Sequence, residues 1–403
     1  MTTSKFTKPF TQQEPVDEAT IERVVEILRS GRLHRYNTVE GDVSEAALLE
    51  KEYADYQGTD YCLACSSGGY ALAVALRSVG LKPGDKVLAN AYTLAPVPGA
   101  IHNAGGIPVF VEIDEDWHID IDDLRAKAAS SEARYLMLSH MRGHIADMDA
   151  IVDICTEHGI TVIEDCAHTM GAKWNGIRSG NYGTVAAFSA QTYKHVNSGE
   201  GGLLTTSDPL VAARAIIMSG SYMLYGSHGA APDESVFAQV KLETPNYSGR
   251  MDNMRAAVIR GQLAGLDDNV RRWNERYRVL EARLAQSPAI DISPRKQNEE
   301  YVGSSFQFRP RLREQGFGPL IESCLARGVD IKWFGAAQPK AFTSRYDSWR
   351  YLGDLPTLPK TLQVLSRTCD IRVPLTFDLD DCRLIAEIIA EEAERLEKEF
   401  NLN

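Results

Sequence analysis

Residues 187–202 read A-F-S-A-Q-T-Y-K-H-V-N-S-G-E-G-G. The apolar run T-V-A-A-F-S leading into them has the length and composition of a buried strand, and it stops at Ser189. Lys194 follows on the next connection, then the turn-forming S-G-E-G-G, and L-L-T-T resumes as a second strand. A lysine on so short a connection between two core strands stays near the core. Burial makes an ammonium costly and shifts its pKa, which suits the amine to Schiff-base chemistry. Taken alone, the stretch is also compatible with an ordinary exposed loop lysine beside a β-turn.

Ile160–Ala172, I-T-V-I-E-D-C-A-H-T-M-G-A, changes that balance. The β-branched I-T-V-I marks a parallel core strand, and Asp165 falls where it ends. Open α/β sheets bind ligands outside the carboxyl ends of their strands. A strand-end aspartate, a strand-end serine and a lysine on the next loop match what pyridoxal phosphate requires. The amine bonds the aldehyde, the carboxylate faces the ring nitrogen, and small hydroxyl or backbone donors hold the phosphate. A helix N-cap is the plainer role for Asp165 by itself.

Composition sets the outer bounds. The chain has 403 residues, which favours one large and one smaller domain, and 44% hydrophobic residues, enough for a sizeable core. A net charge of −12 argues against nucleic acid or an anionic membrane as the main partner. No apolar stretch approaches the roughly 18 residues of a spanning helix, and the N-terminus lacks the apolar centre of a signal peptide. A soluble, cytoplasmic protein is expected. The 7 cysteines are scattered and odd in number, as reduced thiols would be. Cys62 and Cys65 form a C-x-x-C, but no second pair completes a zinc site, and small buried hydrophobes are the simpler reading.

Along the chain, an amphipathic helix precedes Gly31, and strands and helices alternate from residue 43 to about 220. Strands are expected at Tyr61–Cys65, K-V-L-A-N, I-P-V-F-V-E-I, R-Y-L-M-L-S-H and I-T-V-I-E-D, with helices over Ser44–Tyr56, from Tyr70 and from Asp147. Uniformly apolar strands alternating with helices predict a mostly parallel α/β sheet covered on both faces. Met251 to about Ala285 reads as one helix leaving the large domain. Short strands and helices follow, ending on an amphipathic helix over Asp380–Phe400, so the smaller domain is α+β. Ser66, Ser67, Gly68 and Gly69 form a strand-to-helix turn whose amides make an anion site.

These motifs resemble the DegT/DnrJ/EryC1/StrS family of sugar aminotransferases, fold-type I pyridoxal-phosphate enzymes. E-D-C-A-H-T-M-G-A, G-T-V-A-A-F-S, Y-K-H-V-N-S-G-E-G-G, S-S-G-G-Y-A-L and A-D-M-D-A-I (146–151) carry the likeness, from about Gly31 to the C-terminus. It implies an N-terminal helical segment over 1–30, a large pyridoxal-phosphate domain over 31–265 and a small domain over 266–403. It implies Lys194 as the Schiff-base lysine and Asp165 as the partner of the ring nitrogen. Around the cofactor it implies His168 near its hydroxyl side, and Ser67, Gly68, Gly69 and Ser189 at the phosphate. The family's threonine is replaced at Gly69. In Y-T-L-A-P-V-P either Leu94 or Tyr92 covers the ring. N-Y-S-G-R-M-D-N-M matches a segment that crosses a homodimer interface to the neighbour's phosphate, with Ser248 at the family's asparagine, Asn246 as second candidate and Arg250 at its arginine. Arg35 and Tyr36 would belong to the substrate rim.

The implied reaction moves an amino group from an amino acid, glutamate or glutamine, to a ketosugar, nucleotide-linked ketosugar or related cyclic ketone. A lyase or dehydratase on the same scaffold, or an aminotransferase for a non-sugar ketone, is the alternative. H-M-R-G-H at 140–144 and K-W-F-G at 332–335 depart from the family's usual segments, introducing Arg142, His144, Lys332 and Trp333. Arg142 and Lys332 are suited to grip a carboxylate or phosphate. Lys194→Ala should bind the cofactor only non-covalently, so that dialysis strips it. Loss of a positioned base should also cut turnover by at least about 10²–10⁴-fold.

Overall fold

The computed structural model describes residues 4–338 and 345–401; residues 1–3, 339–344 and 402–403 of the expected segments lie outside it. In the first half of the chain the strands are β1 (Tyr61–Cys65), β2 (Lys86–Asn90), β3 (Ile107–Val111), β4 (Tyr135–Ser139), β5 (Thr161–Asp165), β6 (Lys173–Trp174), β7 (Ile177–Arg178), β8 (Val185–Ser189) and β9 (Gly202–Thr206). Seven of these form one sheet in the order β1-β9-β8-β5-β4-β2-β3. The neighbours from β8 through β3 pair in parallel. β9 runs against both β1 and β8. The sheet is therefore mostly parallel, as its continuous apolar strands require.

Helices bury both faces. Pro96–Ala104 and Gly68–Ser78 pack with Ile163 and Ala187 on one side, while Met148–Glu157 and Ile121–Ser130 pack with Leu136 and Leu138 on the other. Side-chain caps start them where the sequence placed polar residues: Asp147 Oδ1 accepts from Ala150 N at 3.1 Å, and Ser44 Oγ from Ala47 N at 3.1 Å. The helix expected from Tyr70 begins at Gly68, because Ser67 caps it with Oγ accepting from Tyr70 N at 3.1 Å. The single helix expected over Met251–Ala285 is two, Asn253–Leu263 and Leu266–Leu284. Gly265 separates them, and Asp267 and Asp268 restart the second with acidic residues in its first turn.

The C-terminal part adds β10 (Ile290–Asp291), β11 (Glu299–Glu300), β12 (Ser305–Pro310), β13 (Lys332–Trp333) and β14 (Cys369–Arg372). Four of them pair in the order β10-β12-β14-β13, while β11 joins β6 and β7. Helices Glu314–Ala326 and Leu379–Asn401 cover the four-stranded sheet around Phe306, Phe308, Leu320 and Ile389. The N-terminal segment does not stand apart. Phe6 and Phe10 enter this same core, their ring centroids 4.9 and 5.0 Å from that of Phe377. We propose a boundary between the two parts at Gly265.

All seven cysteines are buried free thiols. Cys62 and Cys65 belong to the cores on opposite faces of β1, as an odd separation in a strand demands. Among the described residues, no helix is long and apolar enough to cross a membrane.

Two glycines fix how the lysine hairpin meets the turn after β1. A Cβ on Gly202 would lie 2.3 Å from the Ser67 carbonyl, and one on Gly68 would lie 2.8 Å from Ser189 Cβ. Gly202→Ala should therefore destabilise the fold by about 1–3 kcal/mol or more, as overpacking does. Urea unfolding reads this out against Gly226→Ala, where a Cβ meets nothing within 4 Å and the midpoint should barely move.

Candidate active site

The carboxyl ends of β4, β5 and β8 place Ser139, Asp165 and Ser189 side by side at one rim of the sheet. With the helix start at Ser67–Gly69 and the loop after β8 they line a cavity of about 440 Å³. Leu72, Val97, Phe188 and Trp273 supply its apolar walls.

Lys194 is held by a loop that bonds to itself. The last strand pair is Ser189 with Gly202, and between them Ala190 N donates to Gly201 O at 2.9 Å and Thr192 N to Gly199 O at 3.1 Å. Lys194 N donates to Gln191 O at 2.9 Å, and Tyr193 N to Gln191 Oε1 at 3.0 Å. Gln191 thus shapes the lysine turn. His195 beside it sets its Nε2 3.0 Å from Ser304 Oγ, and its ring lies edge-on to Trp273.

Lys194 Nζ lies 2.8 Å from His168 Nε2. The other ring nitrogen, Nδ1, accepts the backbone N–H of Arg142 at 3.3 Å. An imidazole that accepts at Nδ1 carries its proton on Nε2, so His168 donates to the lysine and Nζ is an amine with a lone pair. Electrostatics agree. Desolvation pulls Lys194 down to about 7, with Asp165 opposing and Arg142 and Arg372 reinforcing the fall. Burial, then the Lys194 charge, hold His168 well below the usual imidazole value. The amine therefore loses its proton around pH 7, and above that pH the pair is neutral.

Asp165 is oriented at both oxygens: Oδ2 accepts from Ser139 Oγ at 2.8 Å and Oδ1 from Ala167 N at 3.1 Å. Ser139 was missed in the sequence, although it ends an apolar strand as Asp165 and Ser189 do. Ser67, Gly68, Gly69 and Ser189 share one end of the cavity, where the first amides of a helix meet two hydroxyls.

Several expected residues lie elsewhere. Of the two ring-covering candidates, Leu94 lines the cavity; Tyr92 does not, being buried with its ring edge-on to Phe334 at 5.0 Å. Asn246 and Ser248 are exposed on a turn, Asn246 Oδ1 accepting from Ser248 N at 3.0 Å, outside this chain's own cavity. Arg250 donates to Gly220 O instead. Arg35 is buried in a bidentate pair with Glu50 at 2.6 and 2.7 Å, and Tyr36 bonds Ser221 and His228, so neither lines the cavity. His144 turns inward to Gln307 at 2.7 Å, and Trp333 stacks on Phe317. Arg142 does line the cavity, at a left-handed φ of 58°. Arg372 and Tyr193 also line it and carried no local sequence signal: one is a charged residue closing a short strand, the other an aromatic beside the lysine.

An α/β sheet that brings a buried lysine, a strand-end carboxylate and the start of a helix to one cavity at its rim suits an aminotransferase. The chain belongs to the DegT/DnrJ/EryC1/StrS aminotransferase family, whose profile matches residues 15–389. It is 34% identical over 313 residues, 76% of this chain and 75% of the relative, to the dTDP-3-amino-3,4,6-trideoxy-alpha-D-glucose transaminase of Streptomyces venezuelae. It is 30% identical over 291 residues, 72% of this chain and 66% of the relative, to the L-glutamine:2-deoxy-scyllo-inosose aminotransferase of Streptomyces kanamyceticus. The crystal structure of S. venezuelae DesV superposes with a TM-score of 0.77 at 30% identity, covering 94% of this chain and 95% of that one.

Because the Lys194 pKa falls to about 7, its amine is free above that pH and protonated below it. Its reaction with an aldehyde reagent should rise with pH and level off above about 7. An ordinary lysine would go on gaining reactivity towards its usual value near 10.4. Mass spectrometry of reduced adducts at each pH checks this, and a plateau only near pH 10 would contradict a desolvated neutral amine.

Proposed function

We propose that this aminotransferase uses pyridoxal phosphate and moves an amino group from glutamate or glutamine to a cyclic ketone, either a ketosugar, free or nucleotide-linked, or a cyclitol ketone. The observation that carries the cofactor is the buried Lys194 amine in one cavity with Asp165 and Ser67–Gly69. The residues fit the group at each end. Lys194 supplies the amine and Asp165 a carboxylate for the ring nitrogen. Gly68, Gly69, Ser67 and Ser189 supply donors for the phosphate, and Leu94 an apolar cover. Bound there, the cofactor supplies an electrophilic carbon and a ring that absorbs the electron pair left at the substrate's Cα.

The chain's own residues do the rest. Lys194 Nζ, in its unprotonated form, would carry a proton between the substrate's Cα and the cofactor's reactive carbon, in one direction with the amino donor and in the other with the ketone. His168 Nε2–H holds that nitrogen in place, and the apolar walls keep competing water away. The acceptor class rests on the relatives, one a transaminase of a dTDP-linked sugar and one a glutamine-dependent inosose aminotransferase.

The proposal includes a homodimer in which the turn carrying Asn246 and Ser248 reaches the partner's phosphate end. Support comes from the surface beside that turn: Leu242 is 92% exposed and Tyr247 is exposed, as are Tyr222 and Met223, which follow the Met218–Ser219 backbone that Tyr247 and Gly249 bond to. Sedimentation should give a dimer, and Ser248→Arg should weaken cofactor retention without disturbing the fold of the protomer.

The first test is optical. The purified protein with pyridoxal phosphate should absorb near the visible edge, and the band should bleach with glutamate or glutamine and return on adding a cyclic ketone. A band that no amino acid shifts would favour the lyase alternative, and no band at all would overturn the cofactor assignment.

A further inference from the structure

Gln13 lies among the cavity's lining residues, although it precedes the first helix and belongs to no sheet. Trp273, Ser304, Val373 and Pro374, all from the C-terminal part, line the same cavity. Both sequence neighbours of Gln13 are tied to that wall. Gln12 O accepts from Thr376 Oγ1 at 3.2 Å, two residues past Pro374. Glu14 Oε2 accepts at 2.9 Å from Nη1 of Arg272, the residue before Trp273. His195, which follows Lys194, meets both Ser304 and Trp273, so this wall stands next to the reactive amine. Farther back, the N-terminal segment is anchored in the C-terminal core: Phe6 and Phe10 are buried against Phe377, and Phe6 N donates to Arg327 O at 2.8 Å. Gly328 permits that approach, because a Cβ there would run into the Phe6 carbonyl oxygen. Gln13 is therefore held at the cavity before any substrate arrives, which lowers the ordering cost of a contact made there. It is half-buried, and among the described residues its side-chain amide has no hydrogen-bond partner.

We propose that Gln13 is a specificity-determining residue that hydrogen-bonds a ring hydroxyl of the amino acceptor, so that the N-terminal segment selects polyhydroxylated cyclic ketones over bare ones. A primary amide carries two donors and a carbonyl acceptor without a charge. A hydroxyl both gives and takes a hydrogen bond and so can use either side of the amide, whereas a carboxylate only accepts. An acceptor lacking the hydroxyl would cover the amide and leave it unpaired, which is how a polar site rejects a deoxygenated analogue. The inference rests on the aminotransferase reading of the same cavity and deepens it, because it names the part of the acceptor that the cavity reads.

The test uses the full-length protein loaded with pyridoxal phosphate, with the two half-reactions followed apart through the cofactor band. Glutamate or glutamine bleaches the band. Its return is then measured with scyllo-inosose, with a dTDP-linked ketosugar and with cyclohexanone, which carries no hydroxyl. Gln13→Leu keeps the bulk of the side chain but not its amide. It should raise the KM of the better hydroxylated acceptor by roughly 3–10-fold, the worth of one neutral hydrogen bond, with a much smaller change in the limiting rate. The KM values for cyclohexanone and for the amino donor should move far less, and Gln13→Asn should restore part of the loss. An unchanged KM for the hydroxylated acceptor in Gln13→Leu overturns the proposal. So does an equal rise for that acceptor and for the amino donor, which is what a displaced N-terminal segment would produce. A band that no amino acid bleaches, or that bleaches and returns with none of the three ketones, is a different result: it overturns the aminotransferase reading or its acceptor class, and this assignment with it.

Discussion

A primary amine that gives up its proton around pH 7 rather than near 10.4 requires a dry, tightly shaped place, and most of the architecture around the sheet rim serves that requirement. Apolar walls around Lys194 remove the water that would stabilise an ammonium, and the nearby arginines oppose the charge further. Asp165 alone works in the opposite direction. The hydrogen bond from His168 then gives the lone pair a fixed direction. That bond depends on the Arg142 amide holding the other side of the imidazole, so the bent backbone at Arg142 reaches the lysine through a single ring.

Two adjacent carboxylates divide the work at the end of β5. Asp165 faces the cavity, while Glu164, pointing to the other side of the strand, is fully buried. Its Oε1 accepts from Tyr182 N and Gly183 N at 2.8 and 2.6 Å, and its Oε2 from Gly180 N at 2.8 Å, with His140 Nε2 at 3.0 Å. His140, Glu164 and Cys166 lie close enough together to hold a metal ion, but the carboxylate is already saturated by amides and imidazole. Its place is to fold the Gly180–Gly183 turn back under β5 and so set where β8, and the lysine loop after it, begins. A second buried network, Arg35 with Glu50 and His228, does the same for the segment after Gly31 and draws Arg35 away from the rim where the family likeness had placed it.

Residues whose role depends on their own element were readable in the chain. Asp165 and Ser189 could be placed at strand ends because apolar runs stop there, and Ser67–Gly69 at a helix start because small residues follow a strand. The single helix expected over Met251–Ala285 failed at Gly265, where a weak helix former between apolar stretches left the break invisible to periodicity. Tyr92 and Leu94 stood two apart with the same claim to the cofactor. Only packing against Phe334 turned Tyr92 inward.

The sequence by itself determined the class of sheet, the placing of Lys194 and Asp165 at its rim, and the membership of a family, because each of these is written in local periodicity and in spacings within one or two elements. The tertiary structure decided how far the pKa of that lysine falls, the tautomer of His168, and the arrival of Arg142 and Arg372 at the same cavity. These depend on what β14, the loop after β4 and the helix Leu266–Leu284 bring to the same few ångströms. Arg372 and Lys194 are far apart in the chain, and no short-range pattern encodes the electric field one exerts on the other.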